Sequence, residues 1–310
     1  MGNSDIGGLL LRVAANRSML SENTRKSYAV DWSMFTRWCR SHSQSELPAT
    51  SSTLITYLSE RIANGGKVSS AVRAVSAVNR YHRSENCPVP GDRRVYEFLT
   101  GVRRLQRERP SQKHPLSVED LKNICSRLGS DPRDVRARAI LTLGFASALR
   151  RSNIVALNVE DVSFVAQGVT LRITKEKTDQ EGKGRIVGVV KGNCPDTCPV
   201  RALEQWLGLR GATTGPLFVA FDARLRPTEV RLAAPQVALA VKRGAVKLGF
   251  DWRDYGGHSL RSGFVTAAVL AGCNEFTIAE QTGHASLLML RKYFRNADPF
   301  ARNASAMLGL

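Results

Sequence analysis

The sequence lacks the features of a membrane or secreted protein. No apolar run approaches the roughly 18–20 residues that a helix needs to span a bilayer, and the N-terminus has no apolar segment of the kind found in a secretory signal. We therefore expect a cytoplasmic protein that does not act at a membrane.

Cysteines are few and scattered, at positions 39, 87, 125, 194, 198 and 273. Only Cys194 and Cys198 approach the spacing of zinc ligands, and neither a second pair nor a nearby histidine completes a set of four. The sequence predicts a proline-containing turn at this point, with no bound metal and no cofactor.

Acidic residues are also in the minority. The chain of 310 residues has 27 Asp and Glu against 45 Lys and Arg, which gives a formal net charge of +18. Such an excess favours a polyanionic partner over a basic surface that serves only solubility. Nucleic acid is favoured over a membrane surface as that partner.

The chain is longer than one ordinary hydrophobic core accommodates, so we expect two domains. Residues 1–110 carry 17 basic and 9 acidic residues, so both domains could contact DNA.

The first half of the chain is predicted to be a helical DNA-binding domain over residues 20–109, after an N-terminal tail at 1–19. Apolar residues recur at helical spacing in 21–41, 67–83 and 94–107, and the last helix precedes a polar linker at 110–115 between Pro110 and Pro115. The basic residues proposed to meet DNA phosphates in this domain are Arg25, Lys26, Arg73, Arg80, Arg83, Arg103, Arg104 and Arg107.

The second half, residues 116–297, is predicted to be mainly helical with one small sheet. Ser117 and Asp120 resemble a capping box, and Asp131 and Pro132 begin an apolar helix that ends near Phe145. Alternating apolar residues at 169–173 and 186–190 indicate a β-hairpin around a Gly- and Lys-rich turn. Helical patterns return at 200–209, 235–248, 260–271 and 275–282.

Five polar residues of the second half form an ordered set. Arg150 follows the apolar helix, His258 and Arg261 are three residues apart at a helix start, and Tyr293 comes nine residues after His284. Each alone is most often structural. Together they match phosphodiester cleavage by a tyrosine: two guanidiniums hold the nonbridging oxygens, and histidines donate hydrogen bonds or accept the phenol proton. Lys175, Lys177 or Lys183 of the hairpin could protonate the leaving oxygen.

Over nearly its full length the chain resembles the tyrosine recombinases, the family of phage integrases, Xer proteins and Cre. The resemblance places the family's first Arg on Arg150, its lysine on Lys177, its His and second Arg on His258 and Arg261, its third position on His284 and its nucleophile on Tyr293. One departure is Asn153, where the family usually has Glu or Asp.

The resemblance implies a two-domain clamp around duplex DNA and a site-specific recombinase that needs neither metal nor ATP. The reaction would form a 3′-phosphotyrosyl intermediate and a Holliday junction within a homotetramer, on a site with inverted-repeat arms. The C-terminal residues 298–310 would form a helix that packs on a neighbouring protomer. Two alternatives remain: a type IB topoisomerase-like strand transferase, and a non-catalytic DNA-binding regulator. A protein of this family would act at the nucleoid of a bacterial cell and be encoded by a bacterium, a phage or a mobile element.

Overall fold

The chain divides into two compact units, Met1–Ser111 and Gln112–Leu310. The computed structural model describes residues 20–106, 113–174, 184–284, 286–288, 290 and 293. The predicted tails at 1–19 and 298–310, together with Arg107 and Lys177, lie outside the described residues. No helix within these described ranges is long and apolar enough to cross a membrane.

The first unit consists of four described helices: α1 Glu22–Ser41, α2 Ser51–Ala63, α3 Val68–Ser84 and α4 Arg93–Gln106. The predicted start of the first helix is confirmed, because the Ser21 hydroxyl accepts a hydrogen bond from the Thr24 amide and caps it. Phe35, Leu58 and Val75 are fully buried where the helices meet. The apolar faces seen in the sequence therefore form this core.

A buried carboxylate joins three of these four helices. Asp31 of α1 is fully buried, and Arg73 of α3 donates to it through Nε at 2.6 Å while Arg61 of α2 donates at 3.3 Å. A charge removed from water must be paired in this way, and loss of one partner is costly. Arg73, which the sequence predicts as a DNA contact, thus has a partner inside its own unit.

The second unit is mainly helical, as predicted. Its helices are α5 Val118–Ser126, α6 Pro132–Ala146, α7 Arg151–Ala156, α8 Pro199–Arg210, α9 Ala234–Lys247, α10 Gly257–Leu270 and α11 Glu275–Thr282. Ser117 and Asp120 form the expected reciprocal capping box at α5. The helix predicted at 260–271 begins three residues earlier, at Gly257, which places His258 inside its first turn.

The predicted hairpin is confirmed, but the prediction of one small sheet is wrong. Strand β1 Val162–Val165 joins β2 Gly168–Ile173 and β3 Arg185–Val190 in an antiparallel sheet of order β1-β2-β3. A second sheet pairs β4 Val219–Phe221 with β5 Pro227–Arg231. Both β1 and β5 are largely exposed, so neither shows the alternation of buried residues that reveals a strand.

Helix α6 is the centre of the second core. Seven consecutive residues, from Ala139 to Phe145, are buried, so the helix is covered on every side. Helix α10 lies close to the segment before α5: a Cβ on Gly263 would stand 2.0 Å from the Leu116 carbonyl oxygen. These contacts help to position the end of α6, which precedes Arg150, and helix α10, which carries His258 and Arg261.

The first unit contains a buried titratable group, His82 of α3. Its Nε2 is 2.9 Å from the Ala49 amide, which can only donate, and its Nδ1 is 2.9 Å from the Val78 carbonyl, which can only accept. The neutral ring satisfies both bonds, whereas a second proton would face the Ala49 N–H. Burial accordingly lowers the pKa of His82 below its usual value.

We expect the first unit to lose stability as the pH falls below about 6.5, the ordinary histidine pKa. Because the pKa of His82 is depressed only in the folded state, the unfolded chain binds more protons below pH 6.5. The contribution of His82 to stability is therefore present above pH 6.5 and is lost as the pH falls through the folded-state pKa. Pulsed hydrogen exchange across a urea series at pH 7.5 and 5.5 would measure this in residues 20–106. The His82→Gln variant should be less stable at pH 7.5, by about 1–3 kcal/mol, with a smaller pH effect. An equal pH effect in both proteins would contradict this assignment.

Candidate active site

The turn between α6 and α7 presents Arg150. Helix α6 ends at Ala146, and Ala148 has φ +51°, in the left-handed region that only a few non-glycine residues adopt. Arg150 then stands at the N-terminal cap of α7 with extended backbone. The side chain is partly buried, and its positive charge acts on both predicted site histidines.

Arg261 connects this turn to the end of α11. The side chain is almost completely buried in α10. Its NH1 donates to the carbonyls of Ala148 at 2.9 Å and Thr282 at 2.6 Å, and its NH2 donates to Nε2 of His284 at 3.1 Å. One guanidinium thus fixes two turns that carry predicted site residues.

The predicted nucleophile and a predicted base are in direct contact. The Tyr293 hydroxyl lies 3.1 Å from Nε2 of His258. Partial burial raises the pKa of Tyr293, although the charge of Arg261 opposes that shift. Desolvation and the charges of Arg261 and Arg150 lower the pKa of His258, while part of its ring remains exposed. The arrangement therefore pairs a neutral phenol with a neutral imidazole that can accept its proton.

His284 occupies the turn that ends α11. Gly283 has φ +66°, the left-handed conformation that terminates a helix, and His284 follows it directly. Desolvation, followed by the charges of Arg261 and Arg150, lowers the pKa of His284 to about 4. The ring is therefore neutral at pH 7.

Two residues that sequence reasoning missed join the surrounding elements. Arg185, at the base of the β2–β3 hairpin, donates through NH1 to the carbonyls of Glu280 at 3.1 Å and Gln281 at 3.2 Å. Gln281 donates through Nε2 to the carbonyls of Ala146 and Gly188, both at 3.0 Å. Their partners are main-chain carbonyls of distant segments, so no sequence motif signals them.

Three other residues considered in the sequence analysis or in the tests of the site are Asn153, Tyr255 and Lys177. Asn153 is buried in α7, where its side-chain oxygen accepts from the Ser152 hydroxyl at 3.3 Å. Tyr255, the other tyrosine of this unit, is buried against Phe250 and His114. Lys177 and its neighbours at 175–183 lie outside the described residues, although the hairpin base is described, with Ile173 paired to Arg185.

The predicted DNA-contact residues of the first unit are mostly at its surface. Arg80 and Arg83 line an open groove of about 560 Å³ together with Tyr28 and Tyr96. Arg25, Lys26, Arg73, Arg103 and Arg104 are exposed, although Arg73 also binds the buried Asp31. Lys26 also forms a surface ion pair with Glu22 at 2.7 Å. A surface pair of this kind contributes little to stability, so the lysine can exchange it for a phosphate.

Two models of known protein families match regions of both units of the chain. The phage integrase family model matches residues 115–299, and the N-terminal SAM-like domain of phage integrases matches residues 11–84. The chain belongs to the phage integrase family of tyrosine recombinases. The prediction made from Arg150, His258, Arg261, His284 and Tyr293 is thereby confirmed at the level of family.

Relatives of this family cover most of the chain. An integrase/recombinase XerD homologue of Selenomonas ruminantium is 32% identical over 290 residues, which is 92% of this chain and 84% of the relative. Recombinase Cre of Escherichia phage P1 is 23% identical over 318 residues, 93% of this chain and 88% of Cre. The crystal structure of XerH recombinase bound to a palindromic difH substrate aligns with a TM-score of 0.66 at 15% identity, over 92% of this chain and 80% of that one. The predicted mainly helical recombinase fold is confirmed.

Proposed function

We propose that this enzyme is a site-specific DNA recombinase that uses Tyr293 as its nucleophile. The observation that carries the assignment is the 3.1 Å contact between the Tyr293 hydroxyl and Nε2 of His258, beside the buried Arg261. The phenol oxygen would attack the scissile phosphorus and form a 3′-phosphotyrosyl bond. A free 5′-hydroxyl would then attack that bond, release Tyr293 and complete strand exchange.

Each proton and charge in this reaction has a proposed site. Neutral His258 accepts the phenol proton as the oxygen attacks, and Arg150 and Arg261 compensate the charge on the nonbridging oxygens. The leaving 5′-oxygen takes a proton from Lys177. One phosphoester replaces another, so the exchange balances without ATP or a metal.

Similarity to recombinases supports the proposed DNA partner and assembly. A lambda integrase tetramer bound to a Holliday junction aligns with a TM-score of 0.59, at 15% identity, over 94% of this chain and 78% of that one. We propose that four copies of this protein act on a duplex site with inverted-repeat arms, at the nucleoid of a bacterial cell. The basic residues of the first unit would hold the DNA backbone so that both domains enclose the duplex.

The two alternatives are less well supported. A type IB topoisomerase-like enzyme would share the tyrosine chemistry, but the relatives named above are recombinases and an integrase. A regulator without catalytic activity would not need a tyrosine in contact with a neutral imidazole on which the charges of two arginines act.

The tail at 298–310 is proposed to bind a neighbouring copy. Its sequence places Phe300, Ala304, Met307 and Leu308 on one helical face, and a helix this short cannot bury that face alone. The second unit has a groove of about 570 Å³, lined by side chains of α10, α11 and β3. Two of its apolar residues, Ile186 and Val190, are 73% and 75% exposed, so the groove offers an apolar surface that the tail would cover.

The nucleophile can be tested with a nicked suicide substrate that contains the site found by footprinting DNA next to the gene. Tyr293→Phe removes only the attacking oxygen, so DNA binding should persist while the covalent adduct disappears from a denaturing gel. Tyr255→Phe is the matched control and should still form the adduct, because the Tyr255 ring is buried against Phe250 and His114. An adduct formed by Tyr293→Phe but lost in Tyr255→Phe would reverse the assignment.

The leaving-group acid can be tested by sulfur substitution. Lys177→Ala should slow cleavage of a normal 5′-oxygen by about 10²–10⁴-fold, the usual contribution of a general acid. The cleavage rate of this variant should recover on a 5′-bridging phosphorothiolate, because the sulfur leaves without taking a proton. Lys175→Ala and Lys183→Ala serve as controls and should behave similarly on both substrates. Equal defects of Lys177→Ala on both substrates would remove it from this role.

The tail can be tested by mixing two variants. Deletion of residues 300–310, or a double substitution Ile186→Asp and Val190→Asp in the groove, should each reduce cooperative binding to a full site while half-site binding persists. If the tail packs on a neighbour, an equimolar mixture should recover part of the cooperativity, since one chain supplies the tail and the other the groove. No recovery in gel-shift titrations would mean that each tail docks on its own chain.

A further inference from the structure

Thr282, the last residue of α11, contacts the site in a way that determines where His284 carries its proton. Thr282 is fully buried, and its hydroxyl donates to the Ile278 carbonyl at 2.6 Å. The same oxygen lies 2.6 Å from Nδ1 of His284. A hydroxyl has a single proton, and the carbonyl can only accept it. The short contact with His284 is therefore a hydrogen bond in which Nδ1–H donates to Thr282.

The opposite side of the ring leads independently to the same tautomer. Nε2 of His284 is 3.1 Å from NH2 of Arg261. A guanidinium has only donors, so Nε2 must present its lone pair to Arg261 and carry no proton. Both neighbours of the imidazole thus require the Nδ1–H form.

We propose that Thr282 is a positioning residue that holds His284 in the Nδ1–H tautomer, so that Nε2 accepts a hydrogen bond from Arg261 and keeps this guanidinium oriented for the scissile phosphate. The proposal rests on the recombinase function proposed above. Thr282 touches neither the DNA nor Tyr293 in this scheme. It acts only through the side chains of His284 and Arg261.

This arrangement changes the role expected for His284. The sequence leaves open whether it donates to the phosphate or accepts a proton. A donor at Nε2 would require either the other tautomer or a second ring proton. The pKa of about 4 keeps the ring neutral at pH 7, because of desolvation and then the charges of Arg261 and Arg150. His284 would therefore act on the phosphate through Arg261.

The side chain of Thr282 can be changed without removing its main-chain contact. The Thr282 carbonyl accepts from NH1 of Arg261 at 2.6 Å in addition to the side-chain bond. Thr282→Val retains that carbonyl and the shape of the buried side chain but leaves Nδ1–H without its acceptor. Only Arg261 then still favours the Nδ1–H form, so the Nε2–H form becomes more populated. In that form two donors face each other and Arg261 is displaced. Thr282→Ser keeps the hydroxyl and is the matched control.

The direct measurement is the tautomer of His284 in the full-length protein without DNA. The carbon and nitrogen chemical shifts of labelled histidine distinguish Nδ1–H from Nε2–H rings, and the His284→Gln spectrum identifies the signal among the five histidines of the chain. We expect Nδ1–H in the wild type and in Thr282→Ser at pH 7. Thr282→Val should shift toward Nε2–H.

The functional measurement is single-turnover cleavage of the suicide substrate. A small displacement of a group that orients the phosphate can cost about 10²-fold, so Thr282→Val should cleave about 10²-fold more slowly at unchanged DNA affinity. Thr282→Ser should cleave at nearly the wild-type rate. The difference between the two variants separates a positioning role from a purely structural one.

Several results would overturn the proposal. An Nε2–H signal in the wild type would overturn it, and this test needs no variant, so it remains decisive if Thr282→Val fails to fold. The proposal would also be wrong if Thr282→Val kept the Nδ1–H tautomer, or if its tautomer changed while its cleavage rate did not. If the wild-type protein forms no adduct through Tyr293, the recombinase assignment fails instead, and the tautomer result still reports on the hydrogen bonds of Thr282.

Discussion

The buried guanidinium of Arg261 is the interaction on which the site depends. It joins the turn before Arg150 to the turn before His284, through the carbonyls of Ala148 and Thr282. Carbonyl oxygens accept hydrogen bonds without cancelling the positive charge, so the same group can hold two chain segments and still attract a phosphate. A carboxylate in their place would satisfy the guanidinium equally well and weaken that attraction.

Positive charge in a partly buried site also sets the state of the neighbouring groups. Desolvation and the two arginines lower the pKa values of His258 and His284, so both rings are neutral at pH 7. Neutrality is what a proton acceptor for Tyr293 requires. The two arginines contribute to this neutrality after desolvation, and a phosphate bound near them would offset their positive charge. In the proposed reaction, phosphate binding and activation of the base would thus depend on one charge distribution.

The sequence predicted local features and the ordered set of site residues, but not the bonds that assemble them. The capping box of Ser117 and the hairpin at 169–190 depend on neighbouring residues and were predictable. Gln281 and Arg185 were missed because they bind carbonyls that tertiary folding brings to them. The Thr282 hydroxyl contacts His284 only two residues away, but that contact has a consequence only once folding brings Arg261 to the other side of the ring. Arg73 was assigned to DNA from its place outside an apolar face, and its partner Asp31 lies 42 residues away. Residue patterns report which face is polar and do not identify its partner.

The dependence of α11 on these arginines limits what mutagenesis of the site can separate. This helix has only eight residues, and its last carbonyls would lack partners if the helix stood alone. Arg185 binds those of Glu280 and Gln281, and Arg261 binds that of Thr282. The cations also face the negative end of the helix dipole. Removal of Arg261 therefore withdraws charge from the phosphate and a cap from the helix that presents His284. The rate lost on substitution of Arg261 would overstate the contribution of its guanidinium to the chemical step, because the two roles are not additive.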